Sequence, residues 1–155
     1  LSDSTPRLGR WAPAVTWAAC IFLFSTGWFT GERTGAILLP VLAWIFPHAD
    51  HPTLEAMHLT IRKLGHFTEY LILGILVARA LRGDGPWRPM LAVNAVVIAA
   101  LYATTDELHQ HFVPGRVAAI GDVAIDTAGA AMGQLAVAAR RLGARRLARR
   151  SRTPR

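Results

Sequence analysis

The sequence predicts an all-α membrane protein, a bundle of four transmembrane helices plus a short interfacial or re-entrant element. Three observations lead there. Of its 155 residues, 52% are hydrophobic and only 17% are charged, less charge than a soluble domain of this length carries. Four segments reach the roughly 17 to 25 residues needed to cross about 30 Å of hydrocarbon at 1.5 Å per residue. The basic residues are also distributed unevenly along the chain, as orientation in a membrane requires.

The first span is expected at Ala12 to Phe29. Arg7 and Arg10 ahead of an apolar run imitate a signal peptide, and Trp17-Ala-Ala-Cys20 imitates a lipoprotein cleavage box. The apolar run nevertheless continues past Cys20, no small-x-small pattern follows it, and Trp17 is bulky where such a box needs a small aliphatic residue, so an uncleaved span is expected. Cys20 is the single cysteine; it allows no intrachain disulfide and reads as a packing residue. The run Ala36 to Phe46 has 11 residues and contains Pro40, too short for a span, hence the interfacial or re-entrant element.

The second span, Ile61 to Leu81, carries Arg62, Lys63, His66 and Glu69 in its first half. Met90 to Asp106 is an ordinary hydrophobic third span, and the fourth, Val117 to Ala139, carries Asp122 and Asp126. Residues 1–139 thus form one transmembrane domain and 140–155 a basic tail, in which Leu142 and Leu147 permit an amphipathic continuation along the membrane surface.

Thirteen of the 17 basic residues precede span one, lie at the inner end of span two or between spans two and three, or follow span four. The positive-inside rule therefore places both termini in the cytoplasm of a multi-pass plasma-membrane protein. Eight of the ten acidic residues and all six histidines fall on the outer side. The net charge of +7 then belongs to loops and tail retained inside, which removes the nucleic-acid reading and leaves anionic lipid headgroups as natural contacts of the tail.

Ionisable groups in hydrocarbon cost several kcal/mol each when uncompensated, so they normally face a bundle interior and one another. On a helix, Arg62, His66 and Glu69 share one face, as do Lys63, His66 and Tyr70. Gly65 and Gly74 are expected to let a neighbouring helix approach. Tyr102, Asp106 and His109 or Gln110 form a stripe at the outer end of span three, with Glu107 and His111 as an i, i+4 pair. Pro114-Gly115 makes a turn that carries Arg116 and folds span four back. Asp122 and Asp126 then lie one turn apart on a face continued by Gly129-x-x-x-Gly133, a close-packing pattern. Arg62, Lys63 and Arg116 oppose Glu69, Asp106, Glu107, Asp122 and Asp126, a formal balance of −2. That excess must be relieved by carboxyl protonation, by protonation of His66 or His109, or by a bound cation.

The segments K-L-G-H-F-T-E-Y from Lys63, D-E-L-H-Q-H-F-V-P-G-R from Asp106 and D-V-A-I-D-T-A-G from Asp122 resemble the VanZ-like membrane protein family, with Ser25 as a weaker correspondence. The resemblance covers about Arg62 to Gly133 and implies a small multi-helix bacterial membrane protein linked to the cell envelope and to teicoplanin resistance. It implies no agreed reaction and no cofactor.

Three readings of the polar cluster remain open. In the first, Arg62, Lys63, Tyr70, Gln110 and Arg116 bind a lipid-linked envelope precursor or a lipoglycopeptide, and His66, Glu69, Asp106, Glu107, His109, Asp122 and Asp126 are candidates for acid–base chemistry. In the second, His66, His109, His111, Glu107, Asp122 and Asp126 hold zinc or manganese for a membrane hydrolase or transferase, although no metal-site spacing such as H-E-x-x-H occurs. In the third, the charges only fix helix packing. No phosphate-binding glycine loop, dinucleotide fingerprint or serine elbow is present. His48, His51 and His58 are expected in a solvated loop or at the interface.

Overall fold

A computed structural model describes residues 7–26, 30–113 and 120–150. These residues form five α-helices: α1 (Arg7–Ser25), α2 (Gly31–Ile45), α3 (His51–Arg82), α4 (Pro89–His111) and α5 (Ile120–Arg150). The all-helical class is as expected. The expected short element is instead a full 15-residue helix, α2. It starts at Thr30, whose backbone is extended and whose hydroxyl accepts from the Arg33 amide, and Glu32 in its first turn suits the positive end of the helix dipole. Pro40 lies within it, at the cost of one internal hydrogen bond.

Helix boundaries also differ from those that hydropathy suggests. α3 begins ten residues before Ile61, because Asp50 caps the amide of Thr53 and Pro52 occupies the first turn, where its missing N–H is not needed. Apolarity locates what enters lipid, whereas caps decide where a helix starts. At 32 residues, about 48 Å long, α3 exceeds the hydrocarbon thickness. It ends at Gly83, the one described residue with positive φ (+54°), against which Arg10 packs while pairing with Asp84. The start of α1 is thereby tied to the α3–α4 connection.

Among the described residues two helices, α3 and α4, are long and apolar enough to cross a membrane by length and composition. α1 opens with Arg7 and Arg10, and α5 carries Asp122, Asp126 and Gln134 within its apolar half.

The packing is small inside and large outside. α4 buries Ala95, Ala99 and Ala103, at i, i+4 and i+8, completely, while Leu101 is 63% and Leu108 60% exposed. α2 likewise exposes Ile37, Val41 and Trp44. Apolar surface this extensive is unfavourable in water and suited to lipid, where close helix contact comes from small residues. Tyr70, Leu73 and Val77 of α3 complete the core against Ile21 of α1 and Ala130 of α5.

α3 and α5 run parallel at close range. Gly129 stands against the Phe67 carbonyl, Gly133 against that of Leu71, and Gly74 against Ala130. Gln134 donates to the Gly74 carbonyl at 2.7 Å. The close-packing role expected of Gly74, Gly129 and Gly133 is thus present. Gly65 differs: nothing lies within 4 Å of where its side chain would begin. α1 is fastened by two bonds to helix carbonyls, Trp17 Nε1 to Glu69 at 2.9 Å and the Tyr102 hydroxyl to Ala18 at 2.7 Å.

Candidate functional site

Two adjoining cavities lie at the end of the bundle where α1 finishes and α3 begins. The first, about 310 Å³, is enclosed by α1, α2, α3 and α4; Ile21, Phe24, Leu38 and Ile61 give it an apolar wall. Arg62, His66, Glu69 and Asp106 supply its polar wall, with Ser25 and Thr34. Gly65 lines it too, so the residue expected to admit a neighbouring helix instead leaves room for the cavity. The second, about 740 Å³, lies along α2 and α3 and is lined by Glu32, Glu55, His58, Arg62, Lys63 and His66, with Gln110 and Asp122.

Arg62 and His66 face both cavities, because residues four apart on α3 project from one side while α2 crosses in front. The shared face of Arg62, His66 and Glu69 is therefore realised. Asp106 of the first cavity accepts from Gln110 of the second at 2.9 Å, a second link between the two.

Behind His66 the α3–α5 contact sets a buried carboxylate: His66 Nδ1 is 3.5 Å from Oδ1 of Asp126, which is 1% exposed. This register follows from Gly129 and Gly133, since neither helix could come so near with side chains there. Glu69 meets the first cavity and not Asp126 directly; its backbone carbonyl holds Trp17. Asp122 reaches the second cavity, one turn before Asp126.

Other candidates lie elsewhere. Tyr70 is fully buried in the core, its ring centroid 6.2 Å from that of Tyr102, and lines neither cavity. Glu107 is buried and also lines neither. His109 turns to α1, with Nδ1 3.4 Å from the Ser25 hydroxyl and its ring 4.8 Å from that of Phe22. Ser25 thus reaches across to α4. His111 is exposed and meets Phe112 edge-on. Pro114, Gly115, Arg116 and Trp28 lie outside the described residues.

Two participants were not legible. Thr34 and His58 form a cluster with Arg62: the Thr34 hydroxyl is 3.1 Å from His58 Nε2 and accepts from Arg62 Nη1 at 3.1 Å. His58, expected in a solvated loop or at the interface, is half-buried on α3 because that helix starts early and α2 lies over it at Gly35. His48 and His51 are exposed as expected. Asp50, the cap of α3, has its carboxyl held below the ordinary value by the hydrogen bonds of Thr53.

Among the described residues neither Arg62 nor Lys63 has an ion pair; the pairs present are Arg10–Asp84, His51–Glu55 and His66–Asp126. No three His, Cys, Asp or Glu side chains among them converge closely enough to hold a metal ion. The arrangement can hold an anion at Arg62 and Lys63, and it can pass a proton at His66 against Asp126.

Comparison with curated proteins and with solved structures finds no match. The family model described as VanZ/LLP1 matches residues 11–141, which takes in the whole of α1 through α4 from Trp11, both cavities and the Asp126 helix. By that match the chain belongs to the VanZ/LLP1 family.

Proposed function

We propose that this VanZ-like protein is a multi-pass plasma-membrane protein with four spanning helices, both termini cytoplasmic, and an outward-facing site. The site binds a lipid-linked envelope precursor or a lipoglycopeptide through its phosphate or carboxylate groups and so contributes to teicoplanin-type resistance. The observation that carries this reading is Arg62 and Lys63, two cations in a membrane helix with no carboxylate partner among the described residues, beside cavities with apolar walls. Arg62 is half-buried, and a partly desolvated cation is retained where something negative compensates it; Lys63 stands exposed beside it. Arg62 offers a planar fork for two oxygens and Lys63 a point charge, with Arg116 as a third cation from the α4–α5 connection. His66, oriented by Asp126, is the group placed for proton transfer to a bound ligand.

The test replaces Arg62 and Lys63 by Gln, singly, and measures folded membrane yield together with teicoplanin susceptibility in a host that depends on this chain for protection. Normal yield with lost protection is expected. Protection equal to that of the unaltered chain in both variants rejects the anion site.

The packing reading is favoured by the way α3 is joined to α5, through the 3.5 Å contact of His66 with Asp126 and the hydrogen bond from Gln134 to the Gly74 carbonyl. It expects Asp126→Asn to lower the folded yield in proportion to protection. Loss of protection at normal yield separates the two.

A further inference from the structure

The opposite end of the bundle collects arginines from four helices. α1 brings Arg10, α3 ends with Arg79 and Arg82, Arg88 precedes α4, and α5 carries Arg140 and Arg141. Arg10 pairs with Asp84; among the described residues none of the other five has an ion pair. Arg79 and Arg82 gain from the negative end of the α3 dipole, but that effect fades within the last turn and does not reach Arg141 on another helix. Arginines that serve only to orient a chain extend their heads into water.

Here they border a cavity. Between α3 and α5 lies a space of about 170 Å³, with Ile75, Ala78 and Val137 as an apolar wall and Arg79, Arg82 and Arg141 as a cationic one. Trp87 also lines it, and its Nε1 is buried without a hydrogen-bond partner. A buried N–H donor needs an acceptor, and three arginines lining one cavity favour a negatively charged occupant.

We propose that this cavity binds the phosphodiester headgroup of an anionic diacyl phospholipid. Arg79, Arg82 and Arg141 hydrogen-bond the phosphate oxygens, Trp87 Nε1 donates to a phosphate or glycerol oxygen, and one acyl chain follows Ile75 and Val137. Basic cavities between membrane helices suit such headgroups. A zwitterionic lipid brings its own cation and would leave the arginine excess uncompensated. The site is separate from the anion site at Arg62 and does not depend on which end faces the cytoplasm.

The full chain is purified into nanodiscs of phosphatidylcholine, and phosphatidylglycerol is substituted stepwise at constant total lipid. Thermal unfolding is followed, and lipid retention is read by native mass spectrometry. Phosphatidylglycerol is expected to raise the unfolding temperature and to be retained over phosphatidylcholine. Arg79→Gln and Arg141→Gln are each expected to weaken retention about fivefold. Arg140→Gln is expected to leave it unchanged, since Arg140 does not line the cavity. Trp87→Phe, which keeps the ring and removes the donor, is expected to weaken retention and serves if the arginine variants do not fold. Equal behaviour of the two lipids with the unaltered chain overturns the proposal without any variant. Equal loss with Arg140→Gln overturns the cavity in favour of diffuse surface attraction. Binding of soluble glycerol 3-phosphate as strong as that of phosphatidylglycerol overturns the lipid assignment.

Discussion

Adding one methyl group at Gly133 tests the contact that puts His66 beside Asp126. A Cβ at Gly133 would stand 2.6 Å from the Leu71 carbonyl oxygen and 3.1 Å from Ile75 Cγ1. Ordinary contact begins near 3.4 Å, so α3 and α5 must separate by about 0.8 Å at this level. The Leu71 oxygen is backbone and cannot rotate away as a side chain would. Overpacking of this kind costs roughly 1 to 3 kcal/mol, against which Ala gains about 0.8 to 1.0 kcal/mol over Gly in helix propensity. Gly143→Ala isolates the second effect, because it lies on the same helix with nothing within 4 Å. The difference between the two variants is therefore roughly 1 to 3 kcal/mol, Gly133→Ala being the less stable. Reversible unfolding in mixed micelles, with denaturant midpoints and slopes for both variants, measures it. A gap below about 0.5 kcal/mol, within the scatter of surface substitutions, refutes the close approach of α3 and α5. Gly133 lies two turns after Asp126 on the same face of α5, so the same separation draws Asp126 away from His66 and should reduce the proposed teicoplanin protection as well.

Other expectations follow from single contacts. Trp17→Phe removes the 2.9 Å bond to the Glu69 carbonyl and should cost about 1 kcal/mol in the same unfolding assay, with α1 amides exchanging faster. Gly65→Leu should leave folded yield normal, as nothing stands within 4 Å of that position, while filling the first cavity and abolishing the proposed teicoplanin protection. Thr34→Val deletes the bonds that tie α2 to Arg62 and His58, and amide exchange across α2 should accelerate ahead of the other helices. The lowered carboxyl of Asp50 means its cap is fully formed above the ordinary carboxylate range and lost as pH falls through the lowered value; exchange at Leu54 and its neighbours should rise only below that point, and Asp50→Asn should remove the pH dependence.

Much of the site was legible because charge in an apolar segment has few uses. Arg62, His66 and Glu69 share a face by helical spacing alone, and that face lines a cavity. Gly129 and Gly133 announced a close neighbour four residues apart, and α3 is that neighbour. Local pattern failed where the outcome depended on a partner. Gly65 and Gly74 look alike along the chain, yet one meets Ala130 and the other opens a cavity. His58 looked like a loop residue because hydropathy starts α3 too late, and its partner Thr34 belongs to a helix that its length and Pro40 argued against. Ser25 and His109, 84 residues apart, could be paired only by the fold.

The sequence by itself determined the all-helical class, the family and the roster of ionisable residues, because hydrophobic length, helical period and motif identity are properties of neighbouring residues. Tertiary structure alone decided that α2 crosses α3 to part the space before Arg62 and His66 into two cavities, that Asp126 meets His66, and that the far arginines border a cavity with Trp87. Those outcomes rest on how closely helix backbones approach, and that is set by which small residues face each other across the bundle.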